Sequence, residues 1–164
     1  MGRSGLRRPA RTANALHLAD RPGFLIRRLH QIHVTLFSEA CADFSITPVQ
    51  YSVMTALERE GPLDQMSLAS EVGIDRANAT DVVRRLEERR LIARAASPDD
   101  SRLKICSLTA AGRRLAARMR PAVEAAHART IAALPRTERA AFVASLRRLV
   151  QANNALGRTK LRLR

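Results

Sequence analysis

Apolar residues return at helical intervals along most of the chain. In the segment FLIRRLHQIHVTLFSEACADF, residues 24–44, Leu25, Leu29, Ile32 and Leu36 recur at i, i+4, i+7 and i+11. That spacing predicts a long helix with this stripe in the core. A second stripe with the same spacing, Ile26, His30, His33 and Phe37, lies beside it. In TPVQYSVMTALEREG, Thr47 can cap, Pro48 suits the first helical position and Gln50 completes a capping box. A second helix is therefore predicted over residues 48–60, stopped by Gly61–Pro62.

The pattern then shortens. Asp64 can cap the brief helix QMSLASEV, which Gly73 closes by taking the left-handed conformation. Asp75 can cap RANATDVVRRLEERRLI, with Ala79, Val82, Val83 and Leu86 turned inward. Two helices joined by a tight glycine turn, the second one longer, are the signature of a helix-turn-helix. LIARAAS then reads as a strand, SPDDS as a turn, and RLKICSL as a second strand with Leu103 and Ile105 on one side and Arg102, Lys104 and Cys106 on the other. This predicts a β-hairpin wing. Thr109 can cap a long helix over residues 109–134 that keeps Leu115, Met119, Val123 and Ala126 on one face, with Pro121 placed to kink it. A last helix, residues 136–156, carries Phe142, Leu146, Leu149 and Val150 on one stripe, and both chain ends read as loosely ordered.

Composition agrees with a mainly α fold carrying one small hairpin. Of 164 residues 46% are apolar, enough for a core, while aromatics are 3% and Trp is absent, which disfavours a sandwich or barrel. Two cysteines, Cys41 and Cys106, are too few for a disulfide framework. No apolar run is long enough to cross a bilayer or serve as a secretory signal, so the expectation is a cytoplasmic protein without membrane contact. The net charge of +14 points to a polyanionic partner. It is uneven: +6 over residues 1–30, −3 over 31–63, zero over 64–104 and +11 over 105–164. Any specific contact made by the helix-turn-helix must come from the placement of charges rather than from bulk charge.

Three pieces in this order, TPVQYSVMTAL, SLASEVGIDRANATDVVRRLEERRLIAR and SPDDSRLKICSLTAAG with its Asp-x-Arg followed by Leu-Thr-x-x-Gly, resemble the MarR family of winged helix-turn-helix transcriptional regulators. The resemblance spans about residues 23–155. It implies a homodimer, knit by the first helix and the last two, whose paired lobes read a pseudo-palindrome in double-stranded DNA. The chain would then divide into a basic N-terminal extension (1–22), a dimerisation helix (23–46), a DNA-binding lobe (47–108), C-terminal dimerisation helices (109–156) and a basic tail (157–164). Arg90 stands where the family usually has Gly, which predicts a less abrupt end to the recognition helix.

Residues 100 and 102 are two apart, so in a strand they share a face, and Asp100 can hold and aim the Arg102 guanidinium. A wing tip carrying Asp100, Ser101 and Arg102 can insert the arginine into a narrow minor groove. On the second helix of the motif Arg76, Ala77, Asn78, Thr80, Asp81 and Arg84 face away from the apolar stripe and can meet the major groove, Arg76 suiting guanine and Asn78 adenine. Asp81 can accept from cytosine or orient Arg84 or Arg85. Ser67 and Ser70 can bind phosphate.

The family resemblance further implies a small aromatic or heteroaromatic carboxylate as effector, bound between the dimerisation helices and the lobe, and PGFLIRRLHQIH is similar to members that control catabolism of such acids. The pocket would be walled by the first helix and Tyr51, with Arg27 or Arg28, His30 and His33 receiving the carboxylate and Phe37 on the same stripe. His30 and His33 alternatively serve the dimer seam, or a metal with Cys41 or Glu39, although a zinc site wants three or four converging ligands. No cofactor is called for, no feature points to an enzyme, and nothing in the sequence lowers the pKa of Cys41 for a redox switch. A different class remains open: a helical protein that coats DNA without sequence preference, which salt and sequence dependence would distinguish.

Overall fold

A computed structural model describes residues 17–97, 103–157 and 159–162. Six α-helices and a small sheet follow one another as α1 (Pro22–Ala40), α2 (Pro48–Glu60), β1 (Leu63–Asp64), α3 (Gln65–Val72), α4 (Arg76–Glu88), β2 (Ile92–Ala96), β3 (Lys104–Leu108), α5 (Ala110–Thr130) and α6 (Arg136–Asn153), with single 3-10 turns at Leu18–Asp20, Ala42–Phe44 and Asn154–Leu156. The fold is winged helix-turn-helix, mainly α with a small antiparallel sheet in the order β1-β3-β2. The two-residue β1, which no sequence pattern marks, pairs Leu63 with Cys106 and ties the start of α3 to the hairpin.

Local chemistry sets the helix boundaries. Thr47 and Gln50 make a reciprocal capping box, at 3.2 Å from the Gln50 N–H to the Thr47 hydroxyl and 3.0 Å from the Thr47 N–H to the Gln50 side chain. Asp64 accepts from the N–H groups of Met66 and Ser67, Asp75 from that of Asn78, and Thr109 from that of Gly112. Each places an oxygen on donors that have no partner within the helix. Gly73, at φ +73°, closes α3 and makes the tight turn into α4.

The end of α4 differs from expectation. Arg90 adopts the left-handed conformation itself, at φ +58°, and the turn is as abrupt as a glycine would make it. Arg90 donates its N–H to Glu87 (2.7 Å) and Leu91 donates to Leu86 (2.9 Å), the paired bonds of a Schellman motif. The neighbouring Arg89 guanidinium donates to the carbonyls of Ser45 (2.5 Å) and Phe44 (3.1 Å), anchoring this corner to the loop before α2.

The core lies between the C-terminal half of α1, α2, the helix-turn-helix, the sheet and α5, built around Phe37, Val53, Met54, Leu68, Val83, Leu86, Ile92, Cys106 and Met119. The stripe on α1 falls differently from the sequence reading. On α1 the buried residue is Phe37, from the second stripe, whereas Leu25 and Ile32 are 49% and 45% exposed. One chain has a single layer, α5, to lay on α1, and α5 covers the His33–Phe37 side. On β3 the inward residues are Cys106 and Leu108, while Leu103 is exposed, so of the strand's two sides it is that of Cys106 that meets the core. The core lies under the base of the hairpin, where Cys106 and Leu108 sit, and does not extend to Leu103.

No residue of α6 is buried, and its stripe of Val143, Leu146, Leu149 and Val150 is exposed. The tail, expected to be loose, is pinned in its described part. The Asn154 side chain donates to the Leu161 carbonyl (2.8 Å) and accepts from its N–H (2.9 Å), and Arg162 donates its N–H to the Ser70 carbonyl (3.1 Å). No helix among the described residues is long and apolar enough to cross a membrane.

Candidate DNA interface and effector cleft

Helix α4 seats Ala79, Val83 and Leu86 in the core and turns Arg76, Ala77, Asn78, Thr80 and Arg84 to solvent. Its outer face is ordered by a chain of charge-assisted bonds. Asp81 binds Arg84 (2.6 Å) and Arg85 (2.8 Å), and Arg84 also reaches Glu88 (2.6 Å). The Arg84 hydrogen bond holds the Asp81 carboxyl below its ordinary range, so Asp81 remains an anion and an acceptor. Asn78 donates its side-chain amide to Asp75 (2.7 Å), and Thr80 accepts from Gln65 (2.6 Å) while donating to the Arg76 carbonyl (2.8 Å). A polar notch of about 360 Å³ separates the start of α4 from the base of the hairpin, and Arg76, Gln65, Thr80 and Lys104 line it. Among the described residues the Arg76 side chain has neither an ion-pair nor a hydrogen-bond partner. At the other flank Arg94 on β2 grips Glu87 through two nitrogens, which locks the hairpin to α4 and lowers the Glu87 carboxyl.

A second feature is an open cleft of about 520 Å³ between α1, α5 and α6. His30 and His33 from α1, and His127 and Thr130 from α5, supply its polar atoms; Ile26, Leu29, Ile131, Phe142, Val143 and Leu146 supply apolar walls. The His33 and His127 rings stack with centroids 4.8 Å apart, and His33 Nδ1 lies 2.8 Å from Thr130 Oγ1. Burial, reinforced by the neighbouring His127 and His30, lowers the His33 pKa, so its imidazole is neutral at pH 7. An apolar groove of about 350 Å³, bounded by Leu25, Arg28, Ile32 and Phe142 among others, adjoins the cleft on the α1–α6 face.

Residues 46–104 match the model of the MarR family. The chain is 28% identical over 140 residues to the HTH-type transcriptional repressor NicR of Pseudomonas putida, covering 85% of this chain and 89% of that one. It superposes on the structure of Bordetella bronchiseptica BpsR, whose DNA binding is regulated by 6-hydroxynicotinic acid, with TM-score 0.79 and 32% identity over 83% of this chain and 97% of that one. PcaV of Streptomyces coelicolor, in complex with its natural ligand, aligns at TM-score 0.78 and 34% identity, covering 85% and 98%. The chain belongs to the MarR family. It is a DNA-binding transcriptional regulator of the repressor type and not an enzyme.

As a MarR protein it brings some of the sequence-derived residues together and separates others. Arg76, Ala77, Asn78, Thr80, Asp81 and Arg84 lie on the outer side of α4, where Asp81 is ion-paired to Arg84 and Arg85. Asp100, Ser101 and Arg102 lie outside the described residues. Ser67 is half-buried and donates its hydroxyl to Asp64 at 2.5 Å, so its one proton completes the α3 cap and is not free for phosphate.

In the cleft only His30 and His33 stand as expected. Phe37 is 2% exposed and belongs to the core, with Tyr51 packed against it at 6.3 Å between centroids, so neither lines the cleft. Arg27 lies over the Phe24 ring, and Arg28 bonds Gln31 (2.9 Å) and borders only the adjoining groove. Sequence reasoning missed His127 and Thr130. Their i, i+3 spacing on α5 was visible, but no pattern told that this face turns to the His30–His33 stripe. Cys41 and Cys106 are buried, and burial pushes both thiols up, which argues against a reactive thiolate at either. Among the described residues no group of three or more His, Cys, Asp or Glu is placed to hold a metal ion.

Proposed function

We propose that this MarR protein is a homodimeric repressor that occupies a pseudo-palindromic operator and leaves it when a small aromatic acid binds. The observation that carries the reading is the outer face of α4: polar side chains held by neighbours, on a helix fixed at both flanks, beside an Arg76 that has no partner among the described residues. A helix so braced presents donors and acceptors to major-groove base edges without a large ordering cost. Arg76 and Asn78 read bases, Ala77 and Thr80 make the closer apolar and hydroxyl contacts, and Arg84 reaches phosphate. The wing tip, with Asp100 aiming Arg102 and Ser101 beside them, enters the adjacent minor groove.

The second copy covers the exposed apolar stripes of α1 and α6, so that residues 23–46 and 109–156 form the dimerisation unit and residues 47–108 the reading lobe. Two lobes on such a frame meet half-sites about one helical turn apart. The α1–α5–α6 cleft receives the effector, an aromatic carboxylate of the kind that regulates BpsR. The ligand acts by preferring a lobe spacing that misfits the operator, since equal affinity for both spacings would shift nothing.

Selection of genomic fragments with purified protein at near-physiological salt, followed by mobility shifts with and without aromatic and heteroaromatic acids, tests this. One shared palindrome, released by one acid, is the expected result. Fragments without a common site, lost steeply with salt, would make the protein a non-specific coat instead.

A further inference from the structure

The cleft offers a carboxylate no permanent cation. Its polar lining is three imidazoles and a threonine, its walls are aliphatic and aromatic, and no Asp, Glu, Lys or Arg lines it among the described residues. The surrounding charges are engaged elsewhere: Arg28 with Gln31, Arg129 with Glu39 at 3.1 Å, and Arg139 with the carbonyls of Leu134 and Ala132. From α1 only His30 and His33 face the space, from α5 only His127, and α6 contributes no titratable group. An anion entering so apolar a site needs a partner of opposite charge.

The hydrogen bonds show where that charge can arise. The Thr130 hydroxyl donates to the Ala126 carbonyl at 2.8 Å, so at His33 it accepts, and His33 Nδ1 carries the proton. Nε2 of the neutral ring is left as the acceptor. Extra positive charge there is resisted in the empty cleft by burial and by the stacked His127 ring, and a carboxylate removes that resistance.

Building on the proposed effector role of the cleft, we propose that it captures an aromatic monocarboxylate together with one proton, taken from solvent at His33 Nε2, so that effector binding and proton uptake are a single linked event. The bound state is an imidazolium–carboxylate pair inside apolar walls, with the second copy covering the adjoining α1–α6 groove. Acid should therefore strengthen the effector, and alkali should weaken it, across the range in which the free imidazole is neutral and the bound one charged.

Titration calorimetry of the full chain with 6-hydroxynicotinate and with benzoate, at pH 7.5 in phosphate and in Tris, counts the protons through the difference in buffer ionisation heats. Uptake approaching one proton per site is expected, with affinity falling up to about tenfold per pH unit between pH 6.5 and 8. His33→Gln should bind more weakly at pH 6.5 and lose both the proton count and the pH slope, whereas His127→Gln, which removes a repelling neighbour, should shift the slope to higher pH. Tight binding with a buffer-independent heat and a flat pH profile would overturn the proton linkage alone. Absence of binding at every pH, with operator binding intact, would overturn the effector reading as well.

Discussion

Gly112 shows how one residue in the Leu-Thr-x-x-Gly stretch holds the lobe to the long helix behind it. A Cβ built there would stand 2.1 Å from the Leu91 carbonyl oxygen and 2.7 Å from Leu108 Cδ1. Just before it, Thr109 donates its hydroxyl to the Arg90 carbonyl at 2.8 Å and caps α5. The glycine thus lets α5 start in contact with the corner between α4 and β2. Gly112→Ala gains about 1 kcal/mol of helix propensity but must displace backbone, an overpacking cost of about 1–3 kcal/mol or more. A lowered melting temperature is expected, and a raised one would mean the corner yields freely. Arg90 is the opposite case, a side chain where a glycine would relieve strain. A left-handed non-glycine costs about 1–2 kcal/mol, partly offset by the greater unfolded-state entropy of glycine. Arg90→Gly should therefore stabilise the protein by about 0.5–1 kcal/mol in urea unfolding, with an unchanged m-value showing that compactness is unaltered.

At the scale of elements, the recognition helix is tuned by an acid as much as by its bases. Asp81 binds Arg84 and Arg85 together, so it cancels one of the positive charges the face presents to phosphate. Asp81→Asn should raise affinity for non-specific duplex and steepen its salt dependence by about one unit in log–log slope, as about one more phosphate is neutralised. Operator discrimination should fall in the same competition assay, and unchanged salt dependence would show that Arg84 and Arg85 do not reach DNA. The legibility of each element followed how local its causes are. The caps at Thr47, Asp64, Asp75 and Thr109 are interactions over three residues, and the sequence displays them directly. Which stripe of α1 becomes core depends on where α5 lands, and the parity of β3 on where the core ends beneath the hairpin. Neither is encoded within seven residues, so the sequence displays the apolar stripes without saying which of them the fold buries. The cleft failed for the same reason: His33 was visible on its own helix, while His127 and Thr130 reach it across nearly a hundred residues.

At the scale of the whole molecule, the exposed stripes of α1 and α6 are too apolar to stand alone in water. Leu25, Ile26 and Ile32 on one helix and Val143, Leu146, Leu149 and Val150 on the other are all substantially exposed in the single chain. The groove between the two helices is walled by Leu25, Ile32, Phe142 and Leu146. Patches of this kind on a protein of this size mark an interface, and a two-fold axis lets the same surface cover itself. Leu146 sits at both the groove and the cleft, 37% exposed in one chain, so a charge there meets water in the monomer and an apolar surface in the proposed dimer. Leu146→Glu should accordingly leave the lobe folded, since α6 adds nothing to the buried core. It should yield a monomer by sedimentation, and operator affinity should drop by two orders of magnitude or more, because each lobe must then bind its half-site without the effective concentration that linkage supplies, on the order of millimolar. The half-site contacts proposed for Arg76 and Asn78 should survive at high protein concentration, visible as retained base preference in a single half-site duplex. A variant that stays dimeric and binds the operator normally would move the interface away from α6.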